Sequence, residues 1–96
     1  MKFEWDETKN DLNIAKHGIS FEQAKKIFHG FTIDVVDDRF EYGEERVVSL
    51  GMIDGIAVLV VVRTDREDRC RIISARQANR KERDRYDKEI RKALNA

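Results

Sequence analysis

The 96 residues contain no proline, a single cysteine and no apolar run approaching a membrane span. Without proline nothing forces a break or a stiff linker, and no low-complexity tract or internal repeat divides the chain. One compact domain over residues 1–96 is the expectation. The lone thiol, Cys70, forms no internal disulfide and fits a reducing, cytoplasmic setting. With only His17 and His29 beside it, it makes no recognisable zinc ligand set, so neither a metal nor another cofactor is expected. The longest apolar run, IAVLVVV at 56–62, is the length of a buried strand, well short of the roughly 18 residues of a transmembrane helix. The start MKFEWDETK lacks the apolar core of a signal peptide, which argues against export.

Net charge is zero, yet the charges are unevenly placed. Residues 30–62 carry two basic side chains against seven acidic ones, and residues 63–96 carry twelve against seven. The last third is therefore a positive end suited to a polyanion or an acidic protein.

Local signals give the element order. KFEW at 2–5 reads as a short strand with Phe3 and Trp5 on one face. Asp6 caps a helix over 7–16 that ends at His17–Gly18, where glycine supplies the left-handed residue. Ser20 and Gln23 form a capping box for a second helix, whose Phe21, Ala24, Ile27 and Phe28 make one apolar face before Gly30. Strands follow at 31–36 and, beyond the acidic loop DDRFEYGEE, at 46–53. Asp54–Gly55 is a two-residue hairpin signal leading into a strand over 56–63, apolar on both faces and hence central. A turn at DRED, 65–68, returns the chain as RCRIISAR, 69–76. Asn79 and Glu82 cap a last helix to about residue 93, with a narrow stripe of Tyr86, Ile90, Ala93 and Leu94. The sum is an α+β domain, β-α-α-β-β-β-β-α, with a mainly antiparallel sheet.

The basic residues near the second junction are the chemical candidates. Strict alternation sends Cys70, Ile72, Ser74 and Arg76 to one face, and Arg71, Ile73 and Ala75 to the other. Arg76 ends its strand and Arg80 begins the helix, with Arg83 one turn on, so Arg76 and Arg80 are placed to converge beside a helix N-terminus. The rigid, always-charged guanidinium fork matches a phosphodiester. Arg63, ending the neighbouring strand, is a third candidate across the sheet. Against this stands the alternation of Glu82, Asp84, Asp87 and Glu89 with bases, the pattern of a solvated face. Arg85, Lys88 and Arg91 are assigned to that face. His17 is a general-base candidate by its ordinary pKa, although its place at a helix C-terminus fits a capping role better. Lys9 sits in a first helical turn, the unfavourable end for a cation, and Glu45 with Arg46 enters a strand after glycine. No glycine-rich phosphate loop and no serine-based triad is present.

FEWDETKNDLNIAKHGISFEQA, YGEERVVSLG and RIISARQANRKERDRY together resemble the BrnT family of ribonuclease toxins from type II toxin–antitoxin systems, over about residues 3–87. The resemblance implies a RelE-like fold and metal-independent RNA cleavage that arrests translation. It also implies neutralisation by a BrnA-like antitoxin with a ribbon-helix-helix domain, encoded beside the toxin, the complex repressing its own operator DNA. Residue by residue it makes Arg76, Arg80, Arg63, Glu45, Lys9 and His17 catalytic candidates. It makes Arg46 and Arg83 candidates for holding RNA phosphates, and Arg71 is added to them as a further basic residue of the same stretch. Many relatives read V-V-H-T where this chain reads VVRT, so Arg63 replaces a histidine and cannot shuttle a proton. The alternative is a non-catalytic module of the same fold that binds antitoxin or DNA.

Overall fold

A computed structural model describes residues 2–38 and 43–95; part of the acidic loop, residues 39–42, lies outside them. The elements run β1 (Lys2–Glu4), α1 (Glu7–His17), α2 (Phe21–Ala24), a 3₁₀ turn (Lys25–His29), β2 (Thr32–Asp37), β3 (Arg46–Ile53), β4 (Ala57–Arg66), β5 (Arg69–Gln77) and α3 (Arg80–Leu94). The strands form one sheet in the order β1-β5-β4-β3-β2. Among the described residues only β1–β5 is parallel; the other pairings are antiparallel. The α+β order read from the sequence is the observed one.

All three expected N-caps form, and so does the Gly18 C-cap. Asp6 accepts from the Lys9 amide at 3.1 Å, and Gly18 closes α1 with φ 71° while its N–H bonds Ile14 O at 2.8 Å. Ser20–Gln23 and Asn79–Glu82 are complete capping boxes. The second helix differs from expectation: after four residues it tightens into the 3₁₀ turn, bringing Ile27 down onto β3. Gly51 makes this approach possible, because a Cβ there would stand 2.7 Å from Ile27 Cβ. The hairpin at Asp54–Gly55 has positive φ at both residues, 53° and 67°. The next turn is tighter than DRED suggests, since β4 continues to Arg66 and Glu67 takes the positive φ, 53°.

The sheet buries both faces against helices. One face packs Leu59, Val61, Ile72 and Ala75 on Ile19, Phe21, Ala24 and Ile27. The other packs Leu50, Val58 and Val60 on Ala78 and Tyr86. Fully buried side chains such as Phe21, Ile27 and Leu59 each stabilise the fold by about 1.5–3 kcal/mol.

Helix α1 is held differently. Its buried residue is Asn13, whose Nδ2 donates to Ile19 O (2.9 Å) and Ala75 O (2.8 Å) while its Oδ1 accepts from Ala75 N (3.1 Å). Asn10 Oδ1 accepts from the Phe21 amide at 2.9 Å. Two side-chain amides therefore do the docking that an apolar stripe performs in most helices.

The faces of β5 correct the strict alternation. The ladder shifts between Val62 and Arg63: Val62 pairs with Ser74 while Arg63 pairs with Ile72, leaving Ile73 as the extra residue of a β-bulge. Cys70, Ile72 and Ala75 consequently share the α2 face, and Arg71, Ser74 and Arg76 share the α3 face. One inserted residue moved half the strand to the other side.

Candidate nucleic-acid interface

Tyr86 anchors α3 through its ring against the sheet and its hydroxyl on Phe31 O at 2.8 Å. The helix thereby covers only the hairpin end of its face. The rest is open, with Val35, Val48 and Val62 in register across β2, β3 and β4 and Ser74 beyond them on β5. Val35, Val48, Leu50, Arg76, Glu82 and Arg85 help line a groove of about 370 Å³ between β2 and α3.

Three predicted arginines stand around this open face. Arg76 pairs in register with Val60, whose side chain packs under Tyr86. Arg71 pairs with buried Thr64, and Arg46 pairs with Asp37 at the start of β3. Val60 and Thr64 are four residues apart, so the Arg71 and Arg76 rungs are about 13 Å apart. Arg71 is partly neutralised by Glu4 at 3.2 Å. Glu45 adjoins Arg46 with its side chain exposed, and its carbonyl accepts from Thr64 Oγ1 at 2.7 Å.

Arg76 does not meet Arg80. Its end-on fork is filled by Glu82, Nη1 to Oε1 at 2.8 Å and Nη2 to Oε2 at 2.9 Å, with Nη1 also 3.3 Å from Gln77 O. This bidentate bond raises the Arg76 pKa further and holds the Glu82 carboxyl below the usual carboxylate range. The side fork of Arg76, Nε–H with the second Nη2 hydrogen, has no partner among the described residues. Arg80 lies two residues before Glu82, about 160° around the helix axis, and is exposed to solvent with Arg83. Glu82 was legible in the sequence only as a cap; the same carboxylate both caps α3 and grips Arg76. Arg85, assigned by charge pattern to the solvated face, lines the groove.

Arg63 is on the opposite face, which corrects its expected place beside Arg76. It pairs with Ile72 and lies 5.4 Å from the Phe28 ring centroid. Its Nη1 holds both Asp65 carboxylate oxygens at 2.7 Å, Nε donates to Ser49 Oγ at 3.0 Å, and Nη2 is 3.6 Å from Asp34. The side chain is 11% exposed. Burial lowers its pKa, but Asp65 and Asp34 outweigh that and the net shift is upward, so it stays charged. Nearby Cys70 is fully buried, and desolvation pushes its thiol up to about 11. Lys9 and His17 sit exposed on α1, which packs on β5 and α2 rather than beside the groove. Among the described residues no group of three or more His, Cys, Asp and Glu side chains is arranged for a metal, and no helix is long and apolar enough to cross a membrane.

This architecture has known counterparts. The crystal structure of the Brucella abortus ribonuclease toxin BrnT superposes with a TM-score of 0.64 at 28% identity, covering 83% of this chain and 99% of that one. Among curated proteins there is no match. The profile of the family described as "Ribonuclease toxin, BrnT, of type II toxin-antitoxin system" matches residues 5–82. Fold, motifs and profile agree, and the chain belongs to the BrnT family of type II toxin–antitoxin ribonuclease toxins.

Proposed function

We propose that the chain is a metal-independent endoribonuclease that arrests translation, with its RNA site on the open sheet face. The observation that carries the reading is the alignment of Arg46, Arg71 and Arg76 on one face, with Arg85 on the groove wall. Spread over about 13 Å, they suit an extended strand with more than one phosphate. Arg76 is the principal phosphate ligand: Glu82 fixes its plane and leaves the side fork for two phosphoryl oxygens. Exposed Arg80 and Arg83 extend the positive surface along α3.

In the proposed reaction the ribose 2′ oxygen attacks the adjacent phosphorus, and Arg76 stabilises the charge building on the phosphoryl oxygens. Glu45 takes the 2′ proton, being the acid–base candidate next in sequence to Arg46 on that sheet face. The P–O5′ bond breaks, O5′ takes a proton from solvent, and a 2′,3′-cyclic phosphate remains. Lys9, His17 and Arg63 stand outside this groove; for Arg63 the proposed role is to fix β2, β3 and β4 through Ser49, Asp34 and Asp65. A BrnA-like ribbon-helix-helix antitoxin restrains the toxin, and the complex binds operator DNA.

Arg76→Ala is expected to lower cleavage of purified RNA, in chelator and without antitoxin, by roughly 10²–10³-fold. A single cooperative thermal transition, lowered only by the few degrees that loss of the Glu82 bond implies, shows that the variant folds. Undiminished cleavage by folded Arg76→Ala refutes the assignment. The Glu82 bond favours a second reading, in which Arg76 is a strut tying α3 to β5 and the chain is a non-catalytic module. Absence of any RNA cleavage by the wild-type chain supports that reading. Under the first, RNA affinity falls steeply with salt.

A further inference from the structure

The two edges of the sheet are treated differently. On one side β1 is only three residues long, and beyond it Asn13 occupies both the N–H and the C=O of Ala75. That edge is blunted by a short strand and an amide clamp. On the other side β2 runs for six residues, and no strand pairs with its outer edge among the described residues. It has no proline, no lysine and no bulge, and its Val35 and Val36 are 41% and 51% exposed.

The hydrogen-bond phase of this edge follows from Asn13. Ala75 turns its backbone groups outward, so its partner Val61 turns its own toward Ser49 on β3. Ser49 then has none left for Asp34. Asp34, with Thr32 and Val36 two residues to either side, presents N–H and C=O away from the sheet. Three residues whose outward backbone groups meet no strand among the described residues, beside two exposed valines, are a template for strand addition. The charge selects the occupant. Asp34 is turned to Ser49 and Arg63, so the acidic group offered past the end of the edge is Asp38, within a stretch, residues 30–62, of two basic and seven acidic residues. A second copy would bring like charge to like, whereas a basic strand is complemented.

We propose that β2 is the docking edge for the antitoxin, which adds an extended segment, apolar opposite Val35 and Val36 and bearing lysine or arginine beside Asp38. The added strand lies along the β2 rim of the same groove that Arg76 and Arg85 line, so it narrows the path of the RNA. That inhibitory consequence rests on the RNA reading above; the docking itself does not.

Val36→Pro tests it, because proline there removes an outward N–H and places its ring on the free edge, leaving the β2–β3 bonds in place. Binding of the purified cognate antitoxin is expected to weaken roughly 100-fold by calorimetry, one lost backbone bond and one stranded carbonyl being the least of the penalty. The unfolding midpoint checks the fold. Asp38→Lys, which leaves the ladder intact, is expected to weaken binding about 10-fold at low salt and less at high salt. Wild-type affinity in folded Val36→Pro, or in Asp38→Lys if Val36→Pro fails to fold, overturns the proposal. So does a wild-type chain that dimerises in sedimentation and is made monomeric by Val36→Pro. RNA cleavage by the wild-type chain is scored separately, so failure of the RNA reading is distinguishable from failure of the docking edge.

Discussion

Replacing Asn13 with alanine removes three hydrogen bonds at once, of 2.8, 2.9 and 3.1 Å, from a residue only 7% exposed. Each is worth about 1 kcal/mol net, and stranding the Ala75 and Ile19 backbone groups raises the sum to roughly 3–4 kcal/mol. A chain of this size has a total stability of about 5–14 kcal/mol, so the loss is a large share. At about 4–8 °C per kcal/mol the unfolding midpoint should fall by roughly 12–30 °C. Thermal and urea unfolding at neutral pH measure it, and hydrogen exchange at the Ala75 amide should speed up in step. Asn13→Asp should be worse than alanine, because a carboxylate oxygen would face the carbonyls of Ile19 and Ala75 where Nδ2 now donates. A midpoint drop under about 4 °C for alanine would refute the view that amides, not an apolar stripe, hold α1.

The Arg76–Glu82 bond makes a pH prediction. The folded Glu82 carboxyl titrates below its unfolded value, so its stabilisation is present above about pH 4.3 and is lost as pH falls through the folded value. Glu82→Gln preserves the capping box and should cost about 0.5–1 kcal/mol at pH 7, discounted because Arg76 is 43% exposed. Its urea midpoint should converge on wild type under acid; a gap that widens there contradicts the pairing. Gly51→Ala should destabilise by roughly 1–3 kcal/mol in urea unfolding, since its Cβ would meet Ile27 Cβ at 2.7 Å, and a neutral result would mean the 3₁₀ turn yields freely.

Much of the fold was legible because its signals are local. Asp6, Ser20–Gln23 and Asn79–Glu82 each act within one helical turn, and Asp54–Gly55 within one hairpin, so neighbours in sequence suffice to read them. The site was less legible. Arg71 and Arg76 were assigned to opposite faces by alternation, which holds only while the ladder is unbroken, and the Ile73 bulge breaks it. Arg63 was placed beside Arg76 because both end adjacent strands, but strand ends do not reveal facing. Asn13 and Glu82 carried no sign of their tertiary bonds: the one looked like an ordinary helical residue, the other like a finished cap.

The sequence by itself determined the order of elements, their caps and turns, and a family resemblance strong enough to name the activity class. Only the tertiary structure decided which arginines share a sheet face, that Glu82 holds Arg76, and that one sheet edge is clamped by Asn13 while the other has no strand partner among the described residues. The reason is physical: capping and turn chemistry act over three or four residues. Facing, pairing and edge exposure depend on register between strands far apart in the chain, where one extra residue reverses the outcome.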